Sequence, residues 1–494
     1  MNLEREIKLA VPAGFRLPES YLGGVVARSV DTQRYATVYF DTPDLRLVRW
    51  DCSLRHREGQ GWTLKLPADR SSDVLTRREL EFAGEPPRPP TEAVDLIRAF
   101  VRTADLSPVA RLGTHRAIVE LETEDGKPLA TITEDAVSVM DGSRVTSRFR
   151  ELELELAPNA SVEILAPLVA VLRAAGAGPV DNIPKLARVL GLLAQESEIA
   201  LPQLGPDSTI RDLVCSALGR SVIRLFRHDP GVRLGDDPAD VHQARVATRR
   251  LRSDLRSFRA ELDPTWAAPL QEELRWIGGE LGAVRDAEVL RDRLRAHSAV
   301  LPERDRSSAE GFVARMEAAR AVARDGLMIA MRHPRYLTLL DRLIEATGSP
   351  GVLDEVALLP ATQTLGRLVK GPWSQLRSAI ERAVADPTDP VLLHAARIRA
   401  KRVRYTSEAL APIFGDVAQR FAAAAGKLQD VLGEHQDAVT AADWLSAEAS
   451  SSGATGALAA GELAVLEAKA AAAARAEWPA AWKALADKRL RFWN

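Results

Sequence analysis

Two segments of this chain, 152 residues apart, carry the same side chains at the same spacing. The first reads Asp237-Pro238-x3-His242-x2-Arg245-x3-Arg249-Arg250-x-Arg252, and the second Asp389-Pro390-x3-His394-x2-Arg397-x3-Lys401-Arg402-x-Arg404. A further pair follows at an offset of 151: Leu281-Gly282-x3-Asp286-Ala287 and Leu432-Gly433-x3-Asp437-Ala438. Agreement at this many fixed positions requires a duplicated structural unit. Asp followed by Pro suits the N-cap and first turn of a helix, so each copy opens a helix there.

The helical period then sorts the side chains. At 100° per residue, His242, Arg245, Arg249, Arg252 and Arg256 fall within a sector about 80° wide, while Ala244, Leu251 and Leu255 lie opposite. The second helix repeats this, with His394, Arg397, Lys401 and Arg404 in front and Ala396, Ala400 and Val403 behind. Like charges at these spacings cost roughly 0.2–0.5 kcal/mol per pair, or about 1–2 kcal/mol per helix. Glu408, at the repeat position of Arg256, is the acidic exception. A cost carried twice points to a site for a long polyanion, with the two stripes converging across a pseudo-twofold axis. Arginine neighbours argue against a cation between the histidines. An anion beside those histidines favours their protonated form, which predicts tighter polyanion binding at pH 6 than at pH 8.

The first two hundred residues follow a different period. Glu4-Arg5-Glu6-Ile7-Lys8-Leu9, Trp62-Thr63-Leu64-Lys65-Leu66 and Glu151-Leu152-Glu153-Leu154-Glu155-Leu156 alternate with period two, the mark of strands with two distinct faces. One face gathers Glu4, Glu6 and Lys8; others gather Ser53, Arg55 and Arg57, then Thr63 and Lys65, then Arg77, Glu79 and Glu81, then Glu151, Glu153 and Glu155. Three carboxylates in a row repel one another. A solvated surface usually mixes signs instead. The pattern suggests an enclosed ionic face, in which the acids hold a hard divalent cation and the basic groups hold phosphate.

Helical patches at 91–101 and 161–175 sit among these strands. The segment 200–207 is rich in Pro and Gly and reads as a linker, which sets domains at 1–199 and 208–494. After it the pattern is helical almost throughout, with breaks expected at 229–238, 301–308, 348–360, 386–390 and 450–456. The fold class is an α+β N-terminal domain followed by an all-α domain.

The N-terminal residues resemble the CYTH domains, the triphosphate tunnel metalloenzymes: Glu4-x-Glu6-x-Lys8, the stretch Tyr39–Leu47, the Arg55-bearing strand and the Glu151–Leu156 strand occur in order. The resemblance implies an eight-stranded antiparallel tunnel barrel that takes triphosphates with Mg²⁺ or Mn²⁺. Glu4, Glu6, Glu151 and Glu153 then match metal-binding acids, with Glu155 an extra. Lys8, Arg55, Arg57, Lys65, Arg77, Arg116 and Lys185 match phosphate-side cations. Two departures stand out. Arg111-Leu112-Gly113-Thr114-His115 replaces an Arg-x-Arg-x-Arg run, which implies one lost cation, and Pro184 stands where a serine is common.

The C-terminal half resembles the CHAD domain, which implies inorganic polyphosphate binding. His242, Arg245, Arg249, Arg250 and Arg252 carry over, as do His394, Arg397, Lys401, Arg402 and Arg404, with Lys427 a further candidate. Together the two resemblances imply a tripolyphosphate hydrolase with a polyphosphate-binding module. Its rivals are a non-catalytic scaffold, a thiamine triphosphatase and an adenylate cyclase.

Charge and composition narrow the rest. Lys plus Arg is 66 against 68 Asp plus Glu, so the chain is not a uniformly basic nucleic-acid binder. Aromatic residues are 5% and do not interleave with the arginine stripes, which argues against base stacking. Two cysteines without a CxxC exclude a cysteine zinc site. The charged N-terminus and the lack of a long apolar run lead us to expect a cytoplasmic protein without a membrane span, associated with polyphosphate granules.

Overall fold

The computed structural model describes residues 2–69, 75–181, 183–364 and 366–493. The chain divides into two units, one ending at Glu198 and the other beginning at Ile199.

In the first unit, strands β1 (Asn2–Ala10), β2 (Val25–Asp41), β3 (Ser53–Arg57), β4 (Gly61–Asp69), β5 (Leu75–Phe82), β6 (Ser107–Thr123), β7 (Pro128–Asp141) and β8 (Arg144–Leu156) form a closed barrel in the order β1-β5-β4-β3-β2-β6-β7-β8. Every pairing is antiparallel. Closure leaves no sheet edge, and it forces the two faces of each strand to differ as inside and outside. The apolar face points out. There Ile7, Leu9, Ile132, Leu152 and Leu154 are covered by Leu165, Leu168 and Leu172 of a helix.

Five short helices dress this barrel: α1 (Arg46–Arg49), α2 (Thr91–Leu96), α3 (Arg98–Val101), α4 (Leu165–Ala174) and α5 (Lys185–Leu190). Helix α4 is the covering helix just described, its leucines spaced to share one face. The patch expected at 91–101 is two helices, α2 and α3, meeting at Ile97. Helix α5 closes one end of the barrel. Its Leu186 and Ala187 pack with Tyr39, Leu112 and Val137, with Phe149 alongside.

The second unit is helical. Its elements are α6 (Ile210–Leu234), α7 (Pro238–Ser257), α8 (Pro264–Ser298), α9 (Glu303–Arg332), α10 (Pro334–Gly348), α11 (Asp354–Ala357), α12 (Gly371–Ala385), α13 (Pro390–Phe414), α14 (Asp416–Ser451) and α15 (Ala454–Leu485). The duplicated helices are α7 and α13. Asp237 caps α7 by accepting from Ala239 N at 2.8 Å, and Asp389 caps α13 by accepting from Val391 N at 2.7 Å, with Pro at the start of each. Ala244, Leu251, Leu255, Ala396, Ala400 and Val403 are all buried, as the wheel requires.

Two breaks are shorter than the composition suggests. Helix α6 runs through Pro230 to Leu234, and the Ser/Gly-rich stretch at 450–456 is helical on both sides of residues 452 and 453. In both places tertiary packing outweighs weak local propensity. Among the described residues, no helix is long and apolar enough to cross a membrane.

Leu168 has no exposed surface. Leu168→Ala should destabilise the barrel unit by roughly 2–5 kcal/mol. Urea unfolding followed by tryptophan fluorescence checks this, and a shift below 1 kcal/mol would contradict the packing.

Candidate active site and anion surface

The ionic faces of the strands all point into the barrel. In the β1–β8 register Glu6 faces Glu155, Lys8 faces Glu153 and Ala10 faces Glu151. Next to them, β7 sets Asp135 opposite Glu151 and Thr133 opposite Glu153, and β6 sets Arg116 opposite Asp135. On the other side of β1, Arg77 lies opposite Glu4, and Lys65 lies opposite Glu79 on the β4–β5 ladder. Arg55 and Arg57 come from β3.

These groups form two neighbourhoods. In the first, Lys185, at the start of α5, lies 2.5 Å from Asp135, 3.1 Å from Glu151 and 3.2 Å from Glu153. Lys8 bonds Glu153 and lies 3.5 Å from Glu6 and 3.8 Å from Glu151. Arg116 holds Asp135 with two hydrogen bonds, at 2.7 and 2.6 Å, and reaches Glu153 at 3.1 Å. In the second, Lys65 donates to both oxygens of Glu4 at 2.7 and 2.6 Å and lies 3.1 Å from Glu79. Arg55 also reaches Glu79, at 3.3 Å. Arg77 stands 3.7 Å from Glu6.

Burial and neighbours set the protonation states. Burial favours neutral Glu153, but Lys185, Lys8 and Arg116 outweigh it and hold the carboxyl well below its ordinary range. Burial likewise opposes charge on Asp135, and Arg116 and Lys185 keep it ionised. Burial disfavours the Lys8 ammonium, yet Glu153, Glu6 and Glu151 raise its pKa. For Glu155, burial, with Glu4 and Glu6 facing it, outweighs Lys65 and pushes its carboxyl up to about 7.

The site fits a divalent metal by its donor chemistry. Asp135, Glu151 and Glu153 each bring an oxygen within 4.8 Å of the others, and all three donors are the oxygen type that hard cations take. Both Glu151 oxygens and Glu6 Oε1 are buried; Lys185 reaches Glu151 Oε1, and Lys8 and Arg77 reach Glu6 Oε1, but Glu151 Oε2 has no hydrogen-bond partner among the described residues. Buried oxygens of this kind are costly unless a ligand completes them. The sequence reading missed Asp135, because β7 reads Thr131-x-Thr133-x-Asp135-x-Val137 and shows no run of charge. Only the β7–β8 register brings it to Glu151.

The concern over Gly113 is corrected by strand parity. Arg111, Gly113 and His115 share a face of β6 opposite to that of buried Leu112 and Thr114 and of Arg116. A Cβ on Gly113 would meet nothing within 4 Å. The tunnel therefore loses no cation there. Pro184 precedes α5 in an extended conformation, and Lys185 still reaches the acids.

The helical unit gathers its cations unevenly. Arg249, Arg252, Arg256, Arg399, Lys401 and Arg402 line one cavity of about 190 Å³ between α7 and α13, closed on one side by Tyr405. Arg245 and Arg397 sit beside it, and here the second duplicated motif becomes intelligible. Arg245 lies over Gly282 and bonds Asp286 at 2.7 Å; Arg397 lies over Gly433 and pairs with Asp437 at 3.8 Å. Glycine and aspartate four residues apart thus make a seat for one arginine in each copy. His394 contacts Gln436 at 2.8 Å. Lys427 pairs with Glu477 at 3.0 Å, away from this cavity.

Two expectations change. Arg250 and Arg404 are not open cations, because both pair with Glu408. The pH dependence expected of the histidines also gains a further source. Burial, with Arg285, Arg249 and Arg245 beside it, lowers the His242 pKa further. That source is Lys401: burial, reinforced by Arg397, Arg249 and Arg245, pushes its pKa down to about 7.

The architecture is therefore that of a charge-lined tunnel barrel in a chain that also carries a twinned basic helical unit. The CYTH domain family model matches residues 2–186, and the CHAD domain family model matches residues 216–446. The chain belongs to the proteins that carry a CYTH domain and a CHAD domain together, and CYTH proteins are metal-dependent triphosphate-tunnel enzymes. Its relative Rv2226 of Mycobacterium tuberculosis is 34% identical over 441 residues, covering 85% of this chain and 83% of its own length. A CHAD domain structure from the plant Ricinus communis covers 58% of this chain and 95% of its own, at 25% identity and a TM-score of 0.47. HpAC1 from Hippeastrum, described as having a dominant triphosphatase activity, covers 38% of this chain and 97% of its own, at 15% identity and a TM-score of 0.23.

An anion beside Lys401 stabilises its charged form, so its binding takes up a proton near pH 7 and weakens as pH rises from 6 to 8. Lys401→Met should flatten that profile; titrations of polyphosphate at the two pH values check it. A variant that keeps the wild-type pH dependence would return the effect to His242 and His394.

Proposed function

We propose that the tunnel hydrolyses inorganic tripolyphosphate to pyrophosphate and phosphate, and that the helical unit binds longer polyphosphate. The observation that carries the first half is the cluster of Asp135, Glu151 and Glu153, whose oxygens lie within 4.8 Å of one another inside a cation-rich wall. Asp135, Glu151 and Glu153 would hold Mg²⁺ or Mn²⁺, with Glu4, Glu6 and Glu155 lining the adjoining wall. When bound, the metal neutralises phosphate charge and polarises the reacting phosphoryl group.

The chain's own residues do the positioning. Arg57 has no carboxylate partner among the described residues; it bonds Gln60 at 2.7 Å and lies 3.7 Å from the Tyr35 ring. It is the cation most ready to take a phosphate oxygen. Lys8, Lys65, Arg55, Arg77, Arg116 and Lys185 are engaged by acids and can turn to the substrate as charge enters. Their donors would orient the chain and stabilise charge on the departing pyrophosphate. In that step water oxygen bonds to the terminal phosphorus, the bridging P–O bond breaks, and the water proton passes to phosphate or solvent.

The tunnel favours an inorganic chain over a nucleotide. The ring face of Tyr35 is covered by Arg57, and Tyr39 packs in the apolar plug at the closed end. Neither offers a platform for a base.

Glu151→Gln keeps the side chain's shape and removes its ion pair with Lys185. It should lower phosphate release from tripolyphosphate with Mn²⁺ about 10²-fold or more, with unchanged circular dichroism. Wild type that releases no phosphate would favour the non-catalytic reading. Release only from ATP or thiamine triphosphate would favour the organic substrates.

Removing residues 205–494 should weaken action on long chains more than on tripolyphosphate, because the helical unit raises local substrate concentration. Equal losses on both would exclude tethering.

A further inference from the structure

The duplicated unit departs from its own symmetry at one functional position. Copy one has Arg256, which lines the cavity of cations between α7 and α13. Copy two has Glu408 at the matching place. Its carboxylate pairs with Arg250 of α7 and accepts from Arg404 Nε at 2.8 Å.

Beyond Tyr405 the basic surface continues. A second cavity, of about 250 Å³, is bounded by Tyr405, Arg250, Asp254, Arg220 and Glu408. A third, of about 650 Å³, shares Arg220 and Glu408 with the second and adds Arg404 and Lys427, with Asp430 also in its wall. Tyr405 is the wall between the first and second cavities. Its hydroxyl accepts from Arg249 Nε at 2.9 Å, and Arg250 lies 5.1 Å from its ring. Glu408, with Arg220, is common to the second and third. The three cavities share walls in that order, and Glu408, among the described residues the acid that engages both Arg250 and Arg404, stands between the last two.

We propose that Glu408 is an internal anion that occupies the Arg250–Arg404 site in place of phosphate, so that a short anion fills the first cavity alone and a longer chain must displace the Glu408 carboxylate to extend. Such a contact sets a threshold of chain length. It follows from ordinary electrostatics: a charge-assisted pair between arginine and carboxylate is the same interaction that arginine makes with a phosphate oxygen. A phosphate chain has to compete with it. Asp254, also in the wall of the second cavity, is buried, and Arg250 acts on its carboxyl through charge.

This inference rests on the polyphosphate-binding reading above, and its test separates the two. Affinity and its salt dependence are measured for tripolyphosphate and for long-chain polyphosphate, on the full chain and on Glu408→Gln. The variant should bind the long chain roughly five- to tenfold more tightly, since two arginines are released for charge-assisted bonds. Its slope of log affinity against log salt should steepen by about one, from the added phosphate contacts. Tripolyphosphate affinity should stay the same. Glu408→Arg, which restores the side chain of copy one, should move the long-chain values further the same way. A merely structural ion pair predicts the reverse, because its loss would loosen α7 against α13 and weaken binding of both ligands. Wild type and variant with equal long-chain affinity and equal slope would overturn the proposal while leaving polyphosphate binding intact. Wild type that binds no polyphosphate would overturn the parent reading and this inference with it.

Discussion

The N-terminal unit is organised by the need to keep several carboxylates ionised inside a closed barrel. Buried charge survives only where opposite charge or a ligand compensates it. Lys8 and Lys185 perform this role for Glu153, with Arg116 pinning Asp135, while burial still raises the pKa of Glu151. The barrel makes the arrangement possible because closure gives every strand an inside and an outside. The packing of α4 over Leu152 and Leu154 is what turns Glu151 and Glu153 inward. Stability and site are thus two faces of the same strands.

The helical unit meets the opposite problem, which is too much positive charge in one place. It answers in two ways. Some arginines are seated: Arg245 and Arg397 rest on glycines and pair with Asp286 and Asp437. Others have no carboxylate partner among the described residues, and the consequence appears in Lys401, whose charge is destabilised by burial and by the arginines around it. A group of cations that oppose one another is a surface prepared for a polyanion. The duplication explains why the charge can be so dense, since two copies bring two stripes to one groove and each copy supplies its own apolar back.

Asymmetry between the copies carries as much information as their likeness. Ser253 in copy one corresponds to Tyr405 in copy two, and Arg256 to Glu408. Both differences fall at the place where one cavity gives way to the next. Repeats that diverge at the boundary of a site, and agree in the seats of their arginines, have specialised in what they admit rather than in how they fold.

Much of this molecule was legible in its residues. Period-two alternation separated Glu4, Glu6 and Lys8 from Ile7 and Leu9, and period 3.6 separated Arg249 and Lys401 from Leu251 and Ala400, because a regular backbone makes spacing equivalent to direction. The caps Asp237 and Asp389 were equally plain, since capping is local chemistry. What spacing cannot give is which strand lies beside which, and in what register. Asp135 joined Glu151 and Glu153 only through the β7–β8 ladder. Gly113 left the site only through the parity of β6. Lys401 joined the groups that titrate near neutrality because arginines from two helices converge on it. Nor did spacing show that Glu408 reaches across to Arg250. The sequence determined faces and caps; the tertiary fold decided neighbours, and with them protonation states, since a charge is set by what stands within a few ångströms of it and not by its place along the chain.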